Sequence, residues 1–302
     1  MKRNLGFALL ALAVGLPAPA ARGGQGAPEL PESPAAGLLA QLEDSLDRGD
    51  LDRAIRAGEK AVEIDPRNSV AHDLLGRAYG LKAKDSQLLE QIHLARRARS
   101  FFEKAVELDP GNVSARADLA TYDMRAPAFL GGGMEKARRQ AQEVLARDAA
   151  RGHELLGELA EREKNPGAAE VEYRRAVEAS PPGRLRARRA FSAFLVRKAR
   201  FAEARRLWLD VVEAEPRAAR CELAGVALAS GEDLEGAARE LEVCLAECSG
   251  SSDPSRGEML EHLARLEERL GRSGRARAAL EEALRLEPHQ TEWRRALARL
   301  AR

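Results

Sequence analysis

The chain has 302 residues, of which 44% are hydrophobic and 32% charged, enough to bury a core but far too polar for a multi-span membrane protein. Aromatic residues make up only 4%, and beside abundant Ala, Leu, Glu and Arg that scarcity favours helices packed through small side chains over sheets. A formal net charge of +1 gives no general attraction to phosphate backbones or anionic lipid, so nucleic acid is not an expected partner.

The first segment, "MKRNLGFALLALAVGLPAPA", places Lys2 and Arg3 before an apolar run from Leu5 to Leu16 and closes on the small residues of Ala18-Pro19-Ala20. That order is the pattern of a secretory signal peptide over residues 1–20. Twelve apolar residues make about 18 Å of helix against a hydrocarbon core of roughly 30 Å, too short for an anchor. No cysteine follows the run to carry a lipid. The expected product is an exported, soluble chain, periplasmic or secreted, without stable membrane insertion after signal cleavage. Residues 21–35, rich in Gly and Pro, read as a flexible linker, and residues 36–302 as one helical repeat domain.

Within that domain the chain repeats itself. "RAGEKAVEIDPRN", Arg56 to Asn68, and "FFEKAVELDPGN", Phe101 to Asn112, each follow an anchor Ala, with a packing position four residues after that Ala and a Pro eight after that. The copies are Ala54, Gly58 and Pro66; Ala98, Phe102 and Pro110; Ala169, Tyr173 and Pro181; Ala204, Trp208 and Pro216; and Ala276, Leu280 and Pro288. Ala137 with Ala141 and Ala237 with Leu241 keep the helical spacing without the proline. Ahead of these helices come Leu75, Gly76 and Tyr79, then Leu156 and Gly157 with Ala160, and Ala at the glycine position in Ala120 and Ala264. Together they resemble the tetratricopeptide repeat, a helix-turn-helix unit of about 34 residues. One such pair cannot bury its apolar stripe alone, so pairs stack, and the Asp-Pro or Glu-Pro step stops each second helix. The resemblance implies an all-α, right-handed α-solenoid of about seven helix pairs.

Successive anchor alanines are 44, 39, 32, 35, 33 and 39 residues apart. The three longer intervals place insertions near Ala83 to Ala95, Ala126 to Gly133 and Cys248 to Ser255, where repeat arrays put loops. A last amphipathic segment, Thr291 to Arg302, carries Trp293, Leu297 and Leu300 on one side and is expected to cap the array.

Chemistry-bearing patterns are few. The five histidines, at 72, 93, 153, 262 and 289, form no His-Glu-x-x-His pair, so no metal, cofactor or catalytic residue is expected; His72 and His153 stand where the repeat prefers Trp and should pack. "LGGGMEKA", Leu130 to Ala137, sets three glycines before a helix start, a setting that attracts anions, but lacks phosphate-loop spacing. It reads as a loop, with partner binding at Gly131 to Gly133 as the weaker functional reading and Phe129 and Leu130 either exposed or tucked in. Cys221, Cys244 and Cys248 fall in one repeat, and a bridge from Cys221 to either of the others fits a helical hairpin.

Charge is the most informative remaining signal. Arg184 to Arg206 holds nine basic residues against the single acid Glu203. The resemblance implies that first helices line a concave groove where peptides bind, and registering on Leu75 and Gly76 puts Arg186, Arg189 and Arg197 on that face, with Glu154, Glu158 and Glu161 at matching positions one unit earlier. These six are the candidate partner-binding residues. The lysine and asparagine set by which some of these repeats grip chaperone tails has no counterpart in Asp73 and Arg77, Ala117 and Thr121, or Glu154 and Glu158. The expected function is a non-catalytic scaffold or adaptor in the bacterial cell envelope with a protein or peptide partner. The alternatives are a small-molecule-binding or enzymatic accessory protein using the same groove, or a self-associating structural module.

Overall fold

The computed structural model describes residues 34–181, 183–247 and 254–300. The segment read as a signal peptide, most of the linker, and Cys248 lie outside the described residues. What is described contains fifteen α-helices, a 3₁₀ turn and no strand. Seven helical hairpins follow one another: α1 (Pro34–Asp47) with α2 (Leu51–Ile64), α3 (Ser69–Asp85) with α4 (Leu88–Leu108), α5 (Val113–Arg125) with α6 (Met134–Leu145), α7 (Ala149–Arg162) with α8 (Pro166–Glu178), α9 (Arg186–Arg197) with α10 (Phe201–Leu209), α11 (Pro216–Ser230) with α12 (Leu234–Glu247), and α13 (Arg256–Arg269) with α14 (Ser273–Leu286). The amphipathic α15 (Thr291–Leu300) then lays Trp293, with Leu297 and Leu300, against the core of the last hairpins. This is an all-α solenoid. The chain divides inside α8 into two compact units, unit 1 ending at Glu172 and unit 2 beginning at Tyr173.

The corners after α2 and after α4 are each written in four residues. In Asp109-Pro110-Gly111-Asn112 the proline follows the last residue of α4's cap, and Asn112 Oδ1 accepts the Ala115 amide at 3.0 Å to start α5. Asn68 caps α3 from the same position, through the Ala71 amide at 3.0 Å. Such caps satisfy amides that a helix start leaves unpaired. Asn112 also donates to Ser69 Oγ at 2.7 Å, and Ser69 donates to the Ala105 carbonyl at 2.9 Å, so one corner holds the next. Between corners, small residues set the spacing: a Cβ on Gly76 would come 2.8 Å from the Phe102 ring.

The ten-residue insertion is no loop. Its residues, "AKDSQLLEQIHLA", are mostly good helix formers, and they lengthen both helices, giving α3 17 and α4 21 residues with only Ser86 and Gln87 between them. Leu94 and Ala95 continue the buried stripe, but Leu88 and Leu89 at the tip are 56% and 84% exposed. The second insertion does form a turn, a 3₁₀ element at Ala128–Leu130 followed by Gly131 in the left-handed region. It splits the two residues at its tip: Leu130 is buried under the Tyr122 hydroxyl, which donates to the Leu130 carbonyl at 3.0 Å, while Phe129 is 65% exposed.

One second helix is cut short. α10 has 9 residues where its counterparts have 12 to 21. Three residues after the packing position sits a second inward site, and the pairs are Gly58 and Ala61, Phe102 and Ala105, Ala141 and Val144, Tyr173 and Ala176, Trp208 and Val211, Leu241 and Cys244, and Leu280 and Ala283. Only the α10 pair is large at both. Trp208 takes the core, fully buried with its indole N–H donating to Ser192 Oγ at 2.9 Å. Val211, β-branched and on the next turn, is only half-buried, and the chain leaves the helix at Asp210, with turns through residue 214. Overpacking of this kind strains a close-packed interior.

Candidate functional site

In unit 1 the first helices meet side by side, and their charges meet with them. Glu154, Glu158 and Glu161 lie along one stripe of α7, all half-buried. Glu158 is gripped from α5 by Arg125, whose Nη2 and Nε donate to Oε1 at 2.7 and 3.1 Å, and Arg162 stands 3.7 Å away. Burial alone would raise the Glu158 pKa, but Arg125, then Arg162 and Arg151, hold the carboxyl below its usual range. Glu154 is paired with Arg151 at 2.5 Å.

Deeper in the unit, Arg77 of α3 faces Asp118 of α5 at 3.6 Å, both buried, with Asp73 one turn before Arg77 and also buried. Arg77 Nε and Nη2 and Asp73 Oδ1 have no hydrogen-bond partner. Burial first, and the Asp118 charge second, push the Asp73 carboxyl up to about 8, against the opposing pull of Ser114 and Arg77. At neutral pH Asp73 is therefore mostly a neutral acid, which relieves what would otherwise be two buried carboxylates beside one guanidinium.

In unit 2, Arg186, Arg189 and Arg197 all fall on α9. Arg189 donates through Nε to Glu222 of α11 at 2.8 Å, Arg186 is half-buried and Arg197 is exposed. The neighbouring Arg188 points to the other side and donates to the Leu207 carbonyl of α10 at 2.6 Å, fastening its own hairpin. The structure thus brings the acidic three together on α7 and the basic three on α9, each set in its own unit. Sequence reasoning missed their partners Arg125 and Glu222. Each lies 33 residues from the residue it pairs with, and an opposite charge one repeat away on the first helix is the signal that finds them.

The glycine turn is not built to hold an anion. The amides of Gly131, Gly132 and Gly133 donate to the carbonyls of Ala128, Pro127 and Asp123 at 2.8, 3.2 and 2.8 Å. A Cβ on Gly132 would fall 1.8 Å from the Ala126 carbonyl oxygen, so close approach of backbone explains the glycine. His72 packs with a ring nitrogen 3.0 Å from the Pro66 carbonyl, and His153 Nδ1 meets Glu172 at 2.7 Å. Among the described residues no cluster of His, Cys, Asp and Glu is arranged to hold a metal ion. Cys221 and Cys244 are both buried and not bonded to each other; burial pushes the Cys221 thiol far above its ordinary range, so its nucleophilic form is scarce. No helix among the described residues is long and apolar enough to cross a membrane.

Unit 2 also contains a pocket of about 680 Å³ where α10 stops short, bounded by α10, α11 and the start of α12. Its apolar lining comes from Leu209, which is partly exposed, and from Val212, Leu223 and Val226. Its rim carries Arg205 with Asp233 at 3.6 Å, Arg220 with Glu240 at 3.1 Å, and Arg239.

Tetratricopeptide-repeat family models match residues 131–184 and 257–300. Yeast Tom70 superposes with a TM-score of 0.64 at 16% identity, over 91% of this chain and 58% of Tom70. A tetratricopeptide repeat protein of Parabacteroides merdae aligns over 88% of this chain and 98% of its own, with a TM-score of 0.49 and 17% identity. No curated protein matches the sequence. At 16% identity the likeness to Tom70 is one of fold. With hairpins, proline corners and two matched repeat segments agreeing, the chain is a tetratricopeptide-repeat protein.

Proposed function

We propose that the chain is a non-catalytic adaptor of the bacterial cell envelope, exported through its leader and binding a protein or peptide partner on the first-helix faces. The observation that carries this reading is two sets of partly exposed charges, acidic at Glu154, Glu158 and Glu161 on α7 of unit 1 and basic at Arg186, Arg189 and Arg197 on α9 of unit 2. Several of these already sit in ion pairs with a neighbouring helix, so a partner gains little from a lone charge. It must offer both signs, and exchange of one half-exposed pair for another favours selectivity over raw affinity.

Crosslinking of the tagged chain in its native envelope, followed by mass spectrometry, tests this. A variant with Arg186, Arg189 and Arg197 changed to Glu runs beside it. One dominant partner that the variant loses supports binding at the basic face. Recovery of the same partner by both proteins rules that face out, and recovery of none by the parent chain removes the adaptor reading.

A further inference from the structure

The seam between the α3–α4 and α5–α6 hairpins of unit 1 is made differently from its neighbours. Where the next hairpin begins, Arg125 of α5 reaches Glu158 of α7 at 2.7 Å, and in unit 2 Arg189 of α9 reaches Glu222 of α11 at 2.8 Å, both full hydrogen bonds. At the α3–α4 and α5–α6 seam the two charged contacts stop short. Arg77 Nε lies 3.6 Å from Asp118, and Arg99 Nε 3.8 Å from Asp123, beyond hydrogen-bond reach. Arg77 and the acids Asp73, Asp118 and Asp123 are all buried. Asp73 Oδ1, Arg77 Nε and Nη2, Arg99 Nε and Asp123 Oδ1 have no hydrogen-bond partner, half of all such buried side-chain atoms among the described residues. So many under-satisfied charged groups in one seam mark the place where closure is least secure.

We propose that this seam is a pH-gated joint of the array, closed while Asp73 and Asp123 hold a proton and opening locally to water once they lose it. Asp73 is faced by Arg77 on its own helix and by Ser114 and Asp118 of α5, and Asp47 at the end of α1 also draws on Arg77, so one guanidinium serves three carboxylates. The charged groups of α2 and α4 that reach α3 gather elsewhere, Glu59 and Arg97 on Tyr79 and Asp52 on Lys82. Asp123 is faced by Arg99 and Glu103 of α4 and by Lys136 and Arg139 of α6, while Arg162 and Glu158 of α7 reach α5 at the Met124 carbonyl and Arg125. Burial is the largest influence on both acids and pushes Asp73 up to about 8 and Asp123 up to about 6. Both are raised above the ordinary 3.8, so the support they give to closure is complete below that pH and is lost as pH rises through 6 and then 8. Ionised, each is a buried carboxylate short of partners, a state that entering water relieves. Asn112 and Ser69 tie the corner between the two hairpins, so a hinge remains when the rest of the seam loosens. The inference concerns unit 1 alone and does not depend on the partner-binding reading.

Hydrogen exchange of the full chain from about pH 5 to about pH 8, corrected for the intrinsic pH dependence of amide exchange, tests it. Protection of the α5 amides from Leu119 to Met124 should fall at least about tenfold over that range, because each pH unit between an acid's open-seam and closed-seam values weakens closure by up to about tenfold. The amides of α13 and α14 in unit 2 serve as the internal reference and should change little. Asp73→Asn with Asp123→Asn keeps the shape of the two protonated acids, so in that variant the fall in α5 should vanish. Each single variant should retain only the step of the acid it keeps, which decides the matter even where the double variant fails to fold. Wild-type α5 protection that stays flat overturns the proposal. So does a fall shared equally by α13 and α14, or one that persists in full in the Asn variants.

Discussion

Asp73 offers a direct test of the buried charge network between α3 and α5. Its carboxyl titrates near 8 in the folded chain against an ordinary 3.8. Between those values the native state holds a proton that the unfolded chain has released, so stability falls as pH rises, by at most about 1.4 kcal/mol per pH unit. The contribution is fully present below about pH 4 and is lost as pH rises through 8. Because burial and the neighbouring Asp118 charge act on Asp73 together, the loss over pH 5 to 7 should be about 1–3 kcal/mol. Asp73→Asn keeps the shape of the neutral acid and abolishes the titration. Urea unfolding of wild type and variant at pH 5, 6, 7 and 8 gives the comparison, read by the helical circular dichroism signal because both tryptophans, Trp208 and Trp293, belong to unit 2. Asp123, pushed by burial up to about 6, and the raised Asp47 affect both proteins alike and cancel in the difference. The variant should gain on wild type steadily with pH. A difference that stays flat or shrinks between pH 5 and 8 would falsify the claim that Asp73 is protonated in the fold.

Gly132→Ala, with its Cβ driven into the Ala126 carbonyl, should cost at least about 2 kcal/mol in thermal or urea unfolding, while Gly133→Ala, whose Cβ would meet only the Lys136 stem at 3.9 Å, should be nearly neutral; equal costs would refute the close-approach account. Arg125→Ala should destabilise by about 1–3 kcal/mol by leaving the half-buried Glu158 without its two-pronged donor. A double-mutant cycle with Glu158→Gln that returns no coupling would show that the pair is ornamental. Val211→Ala should let α10 run on by about a turn, helped by roughly 0.5 kcal/mol of helix propensity, and so slow hydrogen exchange at the amides of Glu213 and Ala214; unchanged exchange there would locate the break elsewhere.

The repeat architecture was legible because it rests on local, periodic signals. Prolines in register, Ala at the close-packing sites and Asn at the corners act within one hairpin, and seven hairpins with a final cap appear where that pattern sets them. The outcome of the insertions was not legible from length alone. "AKDSQLLEQIHLA" and "APAFLGGG" are both excess residues at the same point of the hairpin, yet the first extends two helices and the second makes a turn. Composition decides between them: helix formers allow the intrahelical hydrogen bonds to continue, whereas Pro127 and three consecutive glycines do not. The early end of α10 was legible only by comparing repeats with one another, since neither Trp208 nor Val211 alone is foreign to a helix.

The charged faces show where reading one helix at a time falls short. Arg189 and Glu158 were picked out as isolated signs on a stripe, but a stacked array sets each first helix beside the next, and a charge facing solvent in one repeat faces a side chain from another. Arg125 with Glu158 and Arg189 with Glu222 are therefore inter-repeat fasteners as well as surface. Such pairs are worth little as stability when exposed and more when half-buried, so under the proposed function the same charges can fasten neighbouring helices and still be exchanged with a partner's. Breaking one with a partner's carboxylate releases the resident glutamate to solvent, and the net gain is the difference between two similar contacts. A face built this way is expected to discriminate by the pattern of signs along a partner segment. Raising salt should then weaken that discrimination more than total binding, because screening acts on the charge pattern while apolar contacts persist.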